Sequence, residues 1–313
     1  MDVRIEQSWK EALAGEFEKE YFKKAWHDVD SLSAKSIIVK KDFIIRKHIV
    51  DAVAYVCGLG HYELKINGTK VGDSEFAPLW SEYTKTIYYN VYDVTQMLNA
   101  SQNEIEVLLG NGFFNIQRGS RYSKLQASFG PPQLCFRLEV NYADGTTQVL
   151  KSDEAWKYCL SPITFNSIYG GEDYDATLEG NMPWHEVKVV EGPEGILMPQ
   201  TAQPVKIMER YKVKEWHHIP NDQTTKRQND QTPSVIVADM GQNLAGFPEI
   251  SVSGKRGQKI RMDVSERLTP QGVCDQSQTG NEHYYEYTLR GKDIETWHPR
   301  FSYYGFRYIQ VEG

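Results

Sequence analysis

No stretch of this sequence approaches the roughly 18 consecutive apolar residues that a membrane-spanning helix needs, so no helical membrane anchor is expected. Cysteine is scarce. Cys57, Cys135, Cys159 and Cys274 are scattered without a CxxC or a zinc-ligand spacing, and they read as small buried residues. Positive charge is in deficit, 35 Lys+Arg against 42 Asp+Glu for a formal net charge of −7. Phosphate backbones are bound by clustered Lys and Arg, so no nucleic-acid partner is expected. There is no GxSxG elbow, no HExxH and no EF-hand loop, and His217-His218 would point opposite ways on a strand. "GNG" at 110–112 and "GKRG" at 254–257 lack the strand-to-helix context of a phosphate cradle. No apolar segment of a secretory signal opens the chain. The location stays open, a periplasmic or secreted parent included.

What is abundant is the aromatic side chain, 12% of 313 residues with 19 Tyr and 7 Trp. That excess suits sheets, and it suits faces where flat rings stack on sugars. Helical periodicity is confined to residues 7–26, where Trp9, Leu13, Phe17, Tyr21 and Phe22 recur at spacings near four and Ser8 is placed to cap. From Ser36 onward the period is two. Ala52, Ala54 and Val56 alternate, as do Tyr62, Leu64 and Ile66 before Asn67-Gly68, the strongest short hairpin signal. Phe136, Leu138, Val140 and Tyr142 alternate into Asp144-Gly145. Ile250 and Val252, then Ile260, Met262 and Val264, flank a turn at 254–257. Pro183, Pro193, Pro199 and Pro204 punctuate a boundary region, and residues 217–234 read as an exposed loop. The chain is expected to be all-β: a short N-terminal helix within 1–30, a jelly-roll-like sandwich over 31–200 and a second β-sandwich over 201–313. The closing "HPRFSYYGFRYIQVEG" reads as a strand covered on both faces. Phe301, Tyr303, Arg307, Ile309 and Val311 would share one face after a bulge at Gly305. Ser302, Tyr304, Phe306 and Tyr308 would take the other, with Tyr304, Phe306 or Tyr308 left partly exposed as an apolar patch that a neighbour covers.

Two kinds of candidate site emerge. "YGGEDYDA" offers Glu172, Asp173 and Asp175, with Glu172 facing away from the other two on a strand, so no acid–base pair at a fixed separation is legible. Solvated or turn-binding carboxylates fit the same letters. Asn111 and Asp173 are the candidate calcium ligands at a jelly-roll edge. Three loops, "APLWSEY", "GNGFFN" and "FNSIYGGEDY", set Trp80, Tyr83, Phe113 and Tyr169 beside Asn111, Glu172 and Asp175, the composition of a carbohydrate site. Sandwich edges packed on a neighbour produce the same pattern.

"YELKINGTKVGDSEFAPLWSEYTKTIYYNVYDVTQML", "NEIEVLLGNGFFN", "IYGGEDYDA", "DMGQNLAGF" and "PRFSYYGFRYIQVEG", in that order across residues 36–313, resemble the accessory β-domains of bacterial α-L-rhamnosidases, glycoside hydrolase family seventy-eight. The resemblance implies a galactose-binding-like jelly roll followed by a concanavalin-like sandwich. It also implies a parent enzyme that removes terminal α-L-rhamnosyl groups by inversion, with the acid and base on an (α/α)₆ barrel outside this chain. No catalytic residue is carried over. A rhamnose-containing glycan or glycoside is the implied partner, and the barrel is expected to pack on Phe301–Val311. No cofactor is required. A calcium ion, structural or bridging the ligand, is compatible with the family. The rival reading is a pair of scaffold sandwiches with no ligand of their own. The first 22 residues resemble instead the N-terminal helix of uracil-DNA glycosylases. No "GQDPYH"-type motif accompanies it, and "MGQN" at 240–243 is not one, so no DNA-repair function is implied.

Overall fold

The computed structural model describes residues 35–116, 119, 121–122, 127–219, 235–279 and 282–313. The expected helix and most of the 217–234 loop lie outside the described residues. In chain order the strands are β1 (Ile37–Ile44), β2 (Ile49–Leu59), β3 (His61–Ile66), β4 (Thr69–Lys70), β5 (Thr86–Asp93), β6 (Gln102–Gly110), β7 (Asn115–Ile116) and β8 (Ala127–Ser128). Then come β9 (Gln133–Tyr142), β10 (Thr147–Lys151), β11 (Lys157–Leu160), β12 (Ile163–Ser167), β13 (Gly171–Asp175), β14 (His185–Glu186) and β15 (Ile196–Pro199). The last group is β16 (Glu215–Ile219), β17 (Val235–Gly246), β18 (Ile250–Val252), β19 (Lys259–Ser265), β20 (Tyr284–Thr288), β21 (Glu295–Trp297) and β22 (Tyr304–Glu312). Among the described residues helix is limited to two single turns, Thr95–Met97 and Ala176–Leu178, and no helix there is long and apolar enough to cross a membrane.

The first sandwich faces a six-stranded sheet, β14-β11-β1-β6-β3-β4, against a five-stranded one, β10-β9-β2-β5-β15. Period-two alternation builds its core. Ala52, Ala54, Val56, Phe136, Leu138 and Val140 from one sheet meet Val39, Tyr62, Leu64, Ile66, Ile105, Val107 and Leu109 from the other. Fully burying each large member is worth about 1.5–3 kcal/mol, which outweighs the surface ion pairs at about 0–1 kcal/mol each. The β3–β4 hairpin turns at Asn67 (φ 51) and Gly68 (φ 78), both left-handed as a type I′ turn demands. Pro199, which cannot donate to a ladder, ends the edge strand β15.

The second half forms a seven-stranded sheet, β12-β13-β20-β19-β22-β17-β16. One face buries Met262, Val264, Tyr285, Tyr287, Phe306 and Ile309, and Trp297, Ile250 and Val252 from the small β18–β21 ribbon pack onto that core. The hairpin β12–β13 leaves the first sandwich and pairs parallel with β20, Glu172 opposite Tyr285. The chain then returns to the first sandwich through β14 and β15. The expected hand-over at residue 200 falls between β15 and β16, with this hairpin on its far side in space.

The aromatic tail is corrected by its neighbours. β22 lies in the sheet interior between β19 and β17. Phe301, Tyr304 and Phe306 are buried within this chain, so the partial exposure expected of Tyr304, Phe306 or Tyr308 falls on Tyr308 alone, which is half-buried. The slip is also elsewhere. Gly305 pairs regularly with Ala245, and the register shifts where Tyr308 faces Asp239 and Phe306 faces Leu244. The bulk of "MGQN" is accommodated on β17, opposite Arg307, whose guanidinium makes two hydrogen bonds of 2.8 Å to Asp239. Tyr304, Phe306 and Ile309 therefore share one core.

Candidate functional site

The functional candidates collect where the two sandwiches meet. Trp80, on the loop between β4 and β5, is 55% exposed, and its indole lies on Phe113 with centroids 4.8 Å apart at 10°. Phe113 meets Tyr169 edge-on at 5.8 Å, and Tyr169 touches Tyr122 at 5.1 Å and Tyr303 at 6.0 Å. From Tyr303 the rings continue through Phe76 to Phe247 and His298. His61 sits inside this cluster, 5.7, 6.1 and 6.2 Å from Phe76, Phe113 and Phe301. Burial pulls its pKa down to about 3, so the imidazole is neutral and packs as one more ring.

Beneath the rings runs a buried polar chain. Ser128 Oγ donates to Asn115 Oδ1 (2.8 Å), Asn115 Nδ2 to Asn111 Oδ1 (2.9 Å) and Asn111 Nδ2 to the carbonyl of Asn166 (2.8 Å). Asn166 Nδ2 reaches Glu172 (3.2 Å), whose carboxylate accepts the backbone N–H groups of Arg300 and Phe301 at 3.0 Å each. Glu172 is 0% exposed, and burial pushes its pKa up to about 7 against the pull of those two N–H groups. Those N–H groups fix the 298–303 loop, so that Phe301 inserts against Gly110. A Cβ at residue 110 would lie 2.2 Å from the Phe301 ring.

The sequence candidates separate accordingly. Trp80, Phe113 and Tyr169 are brought together. Asn111 and Glu172 lie beneath them as buried members of the joint, without access to a ligand. Tyr83 is 4% exposed and belongs to a satellite core with Phe114 and Phe129, 5.0 and 5.2 Å away. Asp175 accepts from the N–H and hydroxyl of Thr177 and caps the turn at Ala176–Leu178. Asp173 pairs bidentately with Arg121 at 2.9 and 2.7 Å, and that guanidinium lies 3.5 Å from the centroid of the Tyr284 ring. Among the described residues no group of three His, Cys, Asp or Glu side chains is placed to hold a metal ion. His61, Phe76, Asn166 and Arg121 complete the joint and were not singled out from the sequence. The one local signal was Asn166 within the "FNSIYGGEDY" loop.

A family model described as the α-L-rhamnosidase N-terminal domain matches residues 47–209, and one described as the bacterial α-L-rhamnosidase concanavalin-like domain matches residues 229–313. An α-L-rhamnosidase of Formosa agariphila is 35% identical over 286 residues, which is 86% of this chain and 29% of that protein. The structure of the native Aspergillus terreus α-L-rhamnosidase is similar with a TM-score of 0.79 at 30% identity, covering 89% of this chain and 32% of that one. The Streptomyces avermitilis α-L-rhamnosidase complexed with L-rhamnose gives 0.75 at 27% identity, covering 89% and 27%. The chain thus spans less than a third of the length of each of these relatives. One family description alone accounts for more than half of the residues, and the chain belongs to the bacterial α-L-rhamnosidase family.

Proposed function

We propose that this chain is a non-catalytic β-region of an enzyme that hydrolyses terminal α-L-rhamnosyl groups with inversion, and that Trp80 on Phe113 is its contact for a rhamnose-containing glycan or glycoside. The observation that carries the reading is the indole itself. It is more than half exposed, large, and held parallel to a second ring, which is how a flat apolar face is presented to a pyranose. The relative solved with L-rhamnose supports the sugar class. The carboxylates of "YGGEDYDA" support the absence of chemistry here, because Glu172, Asp173 and Asp175 are each engaged in holding backbone or Arg121. Asn111 and Asp173 turn their side-chain oxygens to Asn115 and Arg121, so calcium is not needed for the contact.

The scaffold reading has its own support in the buried chain from Ser128 to Phe301, which explains the same motifs with no ligand. Calorimetric titration with methyl α-L-rhamnoside decides between them, followed in parallel by tryptophan fluorescence and run with and without calcium. The expected result is weak saturable binding, equal in both conditions and lost in Trp80→Ala. Absence of heat and of a fluorescence change in every condition leaves only the scaffold.

A further inference from the structure

Cys57 on β2 and Cys135 on β9 stand directly opposite each other in an antiparallel ladder. Opposed residues of such a ladder project from one face, here the face of Tyr55 and away from the core of Ala52, Ala54 and Val56. Both thiols therefore lie outside the five-stranded sheet, where Cys57 is buried against Leu59, Tyr83, Ile87 and Phe114 while Cys135 is exposed. The kind of site follows from the next residue. The Phe136 N–H donates to Ser152 Oγ (3.1 Å), and its carbonyl accepts the Ser152 N–H (3.0 Å), so its backbone groups face β10. Those of Cys135 then face β2, which makes Cys57 and Cys135 a hydrogen-bonded pair with Cα atoms about 5.5 Å apart. A disulfide spans about 4.4–6.8 Å between Cα atoms. The other two thiols have no such partner, since Cys159 faces Ile38 and Cys274 bridges to Leu268.

We propose that Cys57 and Cys135 form a cross-strand dithiol that closes to a disulfide by exchange with a low-molecular-weight disulfide such as oxidised glutathione. The exposed Cys135 thiolate attacks one sulfur of the reagent, breaking its S–S bond, and the departing thiolate takes up a proton. The Cys57 thiolate then attacks the Cys135 sulfur of the mixed disulfide and expels the second glutathione thiolate. The protein loses two electrons and two protons, and the reagent gains both as two thiols. Burial raises the Cys57 pKa to about 12 with Cys135 adding to it, and partial desolvation by the sheet around it raises that of Cys135, so closure accelerates with rising pH. A hydrogen-bonded site holds the Cβ atoms wider than a relaxed disulfide prefers, so the bond is strained and readily reduced. It is a reversible state of the sheet that carries the Phe114 core and hence the loop bearing Phe113.

The test incubates the reduced, folded chain with oxidised glutathione at mildly alkaline pH, quenches with acid and maps peptides without reduction. The expected product is a Cys57–Cys135 linked peptide pair, two hydrogens lighter than the separate peptides. Counted in denaturant, two of the four thiols are then silent to Ellman's reagent, and both return when the folded protein is first treated mildly with dithiothreitol. Cys57→Ser is expected to stop at glutathione bound to Cys135. Glutathione persisting on Cys135 of the unaltered chain with Cys57 reduced, links involving Cys159 or Cys274, or retention of all four thiols would each overturn the proposal.

Discussion

Two forces compete at Glu172. Three donors surround its carboxylate and favour the charge, while complete burial opposes it, and burial prevails with a pKa near 7 against 4.5 for an ordinary glutamate. A carboxyl whose pKa is raised by folding binds its proton more tightly in the native state. Its contribution is full below about pH 4.5 and is lost as pH rises through about 7. Over that window the shift is worth about 3 kcal/mol of stability. Asp173 and Asp263 are shifted upward by burial too, and their contributions carry the same sign. His61, held neutral by burial, and His298, shifted the same way, contribute the opposite slope below about pH 6.5, so the test is differential. Urea titrations across this range should show Glu172→Gln gaining stability with pH relative to the unaltered chain. An unchanged slope in that variant would mean the carboxyl is not the titrating group.

At the scale of elements, the hairpin β12–β13 carries the first half of the chain into the sheet of the second. It depends on Gly171, whose φ of +96 is foreign to side chains and where a Cβ would lie 1.8 Å from the Tyr284 carbonyl oxygen. Gly171→Ala should cost about 3 kcal/mol or more. It should also strip hydrogen-exchange protection from the β20 amides that face β13, and retained protection there would refute the dependence. Much of the fold was legible wherever the determinant was local. Asn67-Gly68 specified its turn by φ alone, and the alternations at 52–56, 62–66 and 136–142 specified a core face. What was not legible arose from partners distant in sequence. Nothing in "GGEDYD" names β20 as its neighbour, and the side switch in β22 is imposed by extra residues on β17. The same division holds in the site. Trp80, Phe113 and Tyr169 were legible as rings on polar loops, whereas Tyr83 has the same surroundings in sequence and a different core in space. His61 and Arg121 were silent because a neutral ring packed among rings, or a guanidinium between Tyr284 and Asp173, has no pattern in sequence.

For the whole molecule the question is whether two sandwiches behave as two. Interfaces between domains of one chain are commonly polar and permit relative motion. Three features of this one argue otherwise: a hairpin from one half in the sheet of the other, a buried polar chain from Ser128 to Phe301, and a ring cluster drawing on both halves. Each half thus completes the other, and unfolding either exposes part of both cores. Trp156 reports the first core and Trp297 the second, both buried. In protein labelled with fluorotryptophan, the two resonances should lose intensity at one urea concentration, coincident with the loss of far-ultraviolet dichroism. In Gly171→Ala, with the hairpin undocked, Trp297 should melt before Trp156, because the second sheet loses two strands that the first sandwich can do without. Separate midpoints in the unaltered chain would show two independent bodies and remove the basis for treating the ring cluster at their junction as one site.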